Sequence, residues 1–211
     1  MKLFEKTILT TAYFPPVEYF FAIAQGGKVF VEQHEQYQKQ SYRNRCCIFS
    51  TGGPEALTIP VIKEGNYSRP IRDIRIDYSE PWLQHHIRAL DSAYNSSAFY
   101  EYYADDLLSI LRKKPSFLFD LNMELLGTLL TLVGLKADIT CTDSFEKEYE
   151  GNVLDARFRI QPKYRGESLL CEYKKEKTYF QVFSNKHPFV PNLSIIDLLS
   201  AEGPGSIDYI L

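Results

Sequence analysis

The stretch that most constrains the fold lies between Thr7 and Val31, where a β-branched apolar run, a proline pair, an apolar string, two glycines and a second apolar run follow one another. Thr7-Ile8-Leu9-Thr10-Thr11-Ala12-Tyr13 has the residues of a buried strand, and Pro15-Pro16 ends it because proline offers no N–H to a sheet ladder. Pro16 also suits the first position of a helix, where a missing donor is no loss. Val17 to Gln25 (VEYFFAIAQ) is therefore expected as a short, largely buried helix that stops at Gly26-Gly27. Lys28-Val29-Phe30-Val31 then resumes as a strand. This order makes a β-α-β unit, right-handed if its strands are parallel, and ligands of such units gather at the carboxyl ends of the strands. Those ends are Tyr13 to Pro16 and Glu32 to Glu35.

Cys46 to Phe49 and Ala56 to Val61 read as two further strands around a Gly52-Gly53-Pro54 turn, and Ile71 to Asp77 as a strand with one wet face. Helices are expected from about Pro81 to Tyr94, capped by Ser79, and from about Phe99 to Lys113, stopped by Pro115. Between Ser116 and Gly134, Phe117, Leu118, Leu121, Leu125, Leu129 and Leu132 recur at three- and four-residue steps, the pattern of a core helix. Ala137 to Cys141 reads as a late strand, Asp143 to Glu150 and Lys174 to Lys177 as solvated loops, Thr178 to Phe183 as a strand, and Asn192 to Leu199 as a terminal helix. The expectation is an α/β fold: a mostly parallel or mixed sheet with an N-terminal β-α-β unit and a helical layer from about 81 to 134, within a single domain over 1–211. A chain of this length buries about 70% of its unfolded surface and needs no metal or disulfide staple.

Charge narrows the partners. Twenty-four Lys and Arg against 27 Asp and Glu leave a net charge of -3, which argues against nucleic acid or an anionic membrane surface as a partner. No apolar run approaches the roughly 20 residues of a membrane span, and Met1 to Lys6 lacks a signal-peptide core, so a cytoplasmic protein is expected. Cys46, Cys47, Cys141 and Cys171 form no C-x-x-C pair and are read as reduced thiols. Neither G-x-G-x-x-G nor a P-loop occurs, so no resident cofactor is expected.

His34-Glu35 follows the second strand, where a base oriented by a carboxylate could stand beside a substrate; a polar loop pair bonded to backbone is the alternative. Arg43-Asn44-Arg45 precedes a strand, and alternate guanidiniums there could hold a phosphate or carboxylate of a sugar nucleotide, nucleotide or acyl phosphate, or could lie in surface ion pairs. Tyr13, Tyr19, Tyr37 and Tyr42 surround the same strand ends and could stack on a sugar or base, or belong to the core. His85 and His86 are adjacent on a helix and point about 100° apart, so at most one serves a site, and His85 is taken as the candidate. No ligand spacing supports a metal. Self-association into a homo-oligomer is left open.

Two segments, Glu32 to Cys46 (EQHEQYQKQSYRNRC) and Pro191 to Leu199 (PNLSIIDLL), together resemble the WbqC-like family. Tyr13 to Phe20, Leu57-Thr58-Ile59-Pro60-Val61, Trp82 with His85-His86, and Ser92-Ala93-Tyr94 support the resemblance in the family's order. Thr11 stands where the family usually has Gln, and His34-Glu35 where it has an acidic pair. The family's bacterial members occur in O-antigen and related surface-polysaccharide clusters, and glycine transfer has been proposed for some. The resemblance thus implies a process, surface-glycan biosynthesis, more than a reaction; joined to the residues above, the expectation is a transferase moving an acyl or aminoacyl group onto a sugar intermediate, with His34 as base and Arg43 and Arg45 holding an anionic donor. The competing expectation is a non-catalytic protein that recognises a glycan intermediate or a glycan-assembly enzyme.

Overall fold

A computed structural model describes residues 2–62 and 69–211; Met1, the first residue of the stretch read as lacking a signal-peptide core, lies outside them. The N-terminal unit forms as the punctuation requires: β1 (Phe4–Thr10), α1 (Val17–Gln25) and β2 (Gly26–Glu32), with Leu9 opposite Val31 and Thr10 opposite Glu32 in a parallel pair. Val17 to Ala24 are all buried. A helix apolar on every side is stable only inside a core, where each large aliphatic or aromatic side chain contributes about 1.5–3 kcal/mol. Gly27 is required by proximity, since a Cβ there would lie 2.8 Å from the Glu5 carbonyl oxygen of the neighbouring strand.

The late strand β5 (Ile139–Cys141) pairs with β2, and β6 (Val153–Asp155) pairs with β1. Among the described residues this makes a four-stranded, wholly parallel sheet in the order β5-β2-β1-β6. The carboxyl ends of all four strands therefore open on one edge. β6 was not expected, because three residues are too few to display a period of two. β3 (Arg45–Ser50) and β4 (Gly53–Thr58) form the expected pair around a turn, as an antiparallel hairpin separate from the main sheet.

The helical layer is α2 (Trp82–Tyr94), α3 (Tyr100–Arg112) and α4 (Leu118–Val133). Leu118, Leu121, Leu125 and Leu129 of α4 are fully buried, and Gly134 ends the helix at φ +76°, the left-handed stop that glycine tolerates. Ser79 does not cap α2, whose first residue is anchored instead by the Trp82 indole donating to the Asp77 carbonyl at 2.9 Å.

Two expected strands are absent. Ile71 to Asp73 is a 3-10 turn, followed by isolated bridges from Arg75 to Phe117 and Ile76 to Val61. Ile71 and Ile74 are both buried three residues apart, and the i to i+3 bond from Ile74 N to Ile71 O satisfies that spacing as a ladder could not. Thr178 to Phe183 is also irregular. Its polar side chains do the pinning: Tyr179 donates to Asp197 Oδ2 at 2.8 Å, and Gln181 donates to the same oxygen and to the Val190 carbonyl, each at 2.9 Å.

The chain's tail closes over the start of α1. Pro16 provides no side-chain cap, and Asn192 supplies one from afar, its Oδ1 accepting from Glu18 N at 2.9 Å while Leu193 O accepts from Val17 N at 3.1 Å. Ser194 bridges Pro16, and α5 (Ile195–Glu202) follows with Ile195 N donating to the Pro15 carbonyl. The two segments Tyr13–Phe20 and Pro191–Leu199 are thus partners in space.

Candidate functional site

Glu32, the last residue of β2, organises the carboxyl edge of the sheet. It is fully buried; its Oε1 accepts from His34 N at 2.7 Å and from the Thr142 hydroxyl at 2.8 Å, and its Oε2 lies 3.5 Å from Arg157 Nη1. Arg157, just past β6 and also fully buried, donates to both carboxylate oxygens of Asp155 at 2.9 and 2.7 Å and to the Glu146 carbonyl at 2.8 Å. The rings of Phe145 and Tyr149 lie 5.1 and 4.9 Å from its guanidinium. Charges in a protein interior persist only when paired and hydrogen-bonded. One network therefore ties together the ends of β2, β5 and β6. The stretch from 143 to 150, expected as a solvated loop, is drawn into it through backbone carbonyls and aromatic rings.

His34 is half-buried beside this network. Its Nε2 lies 3.1 Å from the Thr142 carbonyl oxygen. A carbonyl only accepts, so Nε2 carries the proton and Nδ1 holds the lone pair. The neighbouring Glu35 behaves differently. It is buried and meets Arg43, equally buried, in a two-point pair: Nε to Oε1 at 2.8 Å and Nη2 to Oε2. Burial pushes the Glu35 carboxyl up from its ordinary range and the guanidinium opposes the shift.

The expected arginine clamp is not what the fold builds from both residues. The fork of Arg43 is filled by Glu35, because a guanidinium carried into the core needs a counter-charge within reach. Arg45 is half-buried at the start of β3 and donates across the hairpin to the Thr58 hydroxyl at 3.1 Å. Asn44, between them, is buried and donates to the Ile59 carbonyl at 2.8 Å. Asn122 of α4 donates to the Arg43 carbonyl at 2.7 Å, fixing the segment to the helical layer.

The tyrosines disperse. Tyr19 is buried and donates to the Thr10 carbonyl at 2.7 Å; burial, then nearby Glu35, pushes its hydroxyl up. Tyr37 is buried, with its backbone N–H on the Arg69 carbonyl at 3.2 Å. Phe14 holds φ +40° in the tight turn after β1, which directs the buried Tyr13 ring toward α2. There the Tyr13 hydroxyl meets His86 Nδ1 at 3.0 Å, and the Trp82 ring packs on the imidazole at 5.0 Å between centroids. His85 is exposed, so the inward partner of the N-terminal unit is His86.

His86 makes the fold acid-sensitive. Burial, chiefly, and then the neighbouring His85 lower its pKa from 6.5 to about 4, against the raising effect of the Thr58 carbonyl. The unfolded chain takes up this proton near pH 6.5, whereas the native state resists it until about pH 4. Stability is therefore complete above 6.5, falls as the pH drops, and levels off below 4, a loss of about 3 kcal/mol at 1.36 kcal/mol per pH unit. Urea unfolding of native protein and His86→Gln between pH 7 and 4 checks this; equal slopes in the two proteins would remove His86 as the cause.

A cleft of about 250 Å3 opens beside the amino end of α1, lined by Glu18, Tyr42, Cys47, Gln161, Tyr164, Ser168 and Asn192 among others. Tyr42 is half-buried there, and burial pushes its hydroxyl up. Glu18 is 5% exposed, its Oε2 accepting from Leu169 N at 3.1 Å; burial raises its carboxyl and hydrogen bonds from Asn192 and Leu169 lower it less. Burial pushes up the Cys47 thiol as well. Reading the sequence picked out neither Glu18 nor the pair Glu32 and Arg157. A lone acid in the first turn of an otherwise apolar helix was the signal for Glu18; nothing local marked Arg157. Among the described residues, no group of three or more His, Cys, Asp or Glu converges as metal ligands, and no helix is long and apolar enough to cross a membrane.

An uncharacterised protein of Mycobacterium tuberculosis, Rv1507c, is 26% identical to this chain over 226 aligned positions that cover 96% of each. No solved structure matches this chain significantly. The WbqC-like family pattern matches residues 11–170, which begin just after β1 and contain α1, β2, the Glu35–Arg43 pair, the whole Glu32–Arg157 network and all of the helical layer. This chain belongs to the WbqC-like protein family.

Proposed function

We propose that the protein is a transferase of surface-glycan biosynthesis, moving an acyl or aminoacyl group such as glycyl from an activated donor onto a sugar intermediate, with His34 as the general base. The observation that carries this reading is the imidazole at the carboxyl edge of a parallel sheet, its Nε2 held by the Thr142 carbonyl and its backbone by Glu32, so that Nδ1 is the basic atom. In the reaction, Nδ1 takes the proton of a sugar hydroxyl or amine as that group attacks the donor's carbonyl carbon. The new ester or amide bond forms, the bond to the donor's leaving group breaks, and the imidazolium returns the proton to the leaving group. Arg45 is assigned to the donor's anionic group, since Arg43 is committed to Glu35. Family membership supports the glycan context through the surface-polysaccharide clusters in which such proteins occur.

The second reading, a non-catalytic module that recognises a glycan intermediate or a glycan-assembly enzyme, draws on the closure of Arg43 and Arg157 upon internal carboxylates. The two are separated by incubating the native protein with acyl-phosphate and aminoacyl-nucleotide donors and sugar-nucleotide acceptors. The transferase yields a sugar heavier by the acyl group in mass spectrometry. Heat of binding for a sugar nucleotide without any such product, across all donor and acceptor pairs, would establish the module instead.

A further inference from the structure

The cleft beside α1 has a chemistry of its own. Its walls present two tyrosine rings, Tyr42 and Tyr164, the carboxamides of Gln161 and Asn192, the Ser168 hydroxyl and the Glu18 carboxyl; among the described residues, no lysine or arginine lines it. Tyr164 is 44% exposed. Gly166 lies directly against that ring, where a Cβ would come within 2.6 Å of three of its atoms, so the missing side chain lets the ring lie on the backbone. Ser168 Oγ accepts from Cys171 N at 3.2 Å, which leaves its proton to donate elsewhere.

We infer that this cleft is a binding site for one neutral sugar ring. An anion is disfavoured by the helix start itself. The N–H groups of Val17, Glu18 and Tyr19 that would greet a phosphate are taken by Leu193 O, Asn192 Oδ1 and Pro16 O. The volume of about 250 Å3 is below that of pockets for drug-sized ligands and has room for a single pyranose. A sugar ring offers a face of C–H groups to an aromatic ring and a rim of hydroxyls that both donate and accept. Carboxamides, a free hydroxyl proton and a carboxyl match that rim, and the tyrosine rings match the face. Burial raises the Glu18 carboxyl from its ordinary range, and its Oε2 accepts from Leu169 N.

This inference goes beyond the transferase reading and does not depend on His34. Saturation-transfer difference NMR with millimolar N-acetylglucosamine and galactose tests it on the full chain. The native protein is expected to saturate ring protons of at least one sugar. Tyr164→Ala, at an exposed position that leaves the core intact, should weaken that sugar's affinity about three- to tenfold, while Tyr164→Phe retains it. Gly166→Val should weaken it through the displaced ring. Inorganic phosphate at the same concentration should not compete. Absence of saturation for both sugars, equal affinity in native protein and Tyr164→Ala, or displacement by phosphate overturns the assignment. Sugar binding without product formation would remove the transferase alone, and product formation without sugar binding that depends on Tyr164 would remove the cleft alone.

Discussion

Arg43→Met should destabilise the protein by about 3–5 kcal/mol, a loss expected when one member of a buried, two-point ion pair is removed and its partner is left charged in the core. Glu35 has no water to turn to at 3% exposure, and the substitution takes away both bonds from the guanidinium at once. For a chain of this size that corresponds to a fall in Tm on the order of 10 °C. The double variant Arg43→Met, Glu35→Leu removes both charges and should recover most of the loss, because replacing a buried pair by apolar groups of similar volume is often neutral. Urea unfolding of the native, single and double variants measures the coupling. A single variant within 1 kcal/mol of native, by the estimate of a surface pair's worth, would mean that the pair is not the structural brace described above. Arg43→Lys is expected to fall between, since an ammonium keeps the charge and loses the fork.

His34→Gln should reduce turnover of the proposed transfer by a factor of about 10²–10⁴ while leaving donor affinity nearly unchanged. Glutamine can still donate to the Thr142 carbonyl, so the loop geometry around Glu32 is preserved and the lone pair of Nδ1 is what disappears. Undiminished turnover in the variant would eliminate His34 as the base. Glu35, locked on Arg43, is a poor substitute, and the reacting group of the substrate itself would become the next candidate.

The local grammar of the chain was legible where short-range sterics decide. Prolines at 15 and 16, glycines at 26 and 27, and the leucine spacing from Leu118 to Leu129 delimit β1, α1, β2 and α4 because donors, φ angles and helical period are properties of neighbouring residues. The same reasoning read Ile71–Asp77 and Thr178–Phe183 as strands, and there a 3-10 turn and a set of side-chain bonds won. β-rich composition gives a strand no partner; a ladder exists only if a second strand arrives beside it.

The sequence by itself determined the α/β class, the β-α-β order and the edge at which polar residues collect, since those follow from turn residues and apolar periodicity, whereas the parallel pairing of β1 with β2 is seen in the structure. Only the tertiary structure decided what the collected residues do. It set Glu35 against Arg43, Glu32 against Arg157 from 125 positions further along the chain, Tyr13 against His86 rather than His85, and Asn192 over the bare start of α1. The physical reason is that a charge or polar group entering a core must find a partner wherever the fold brings one, and that demand acts through space, not along the chain.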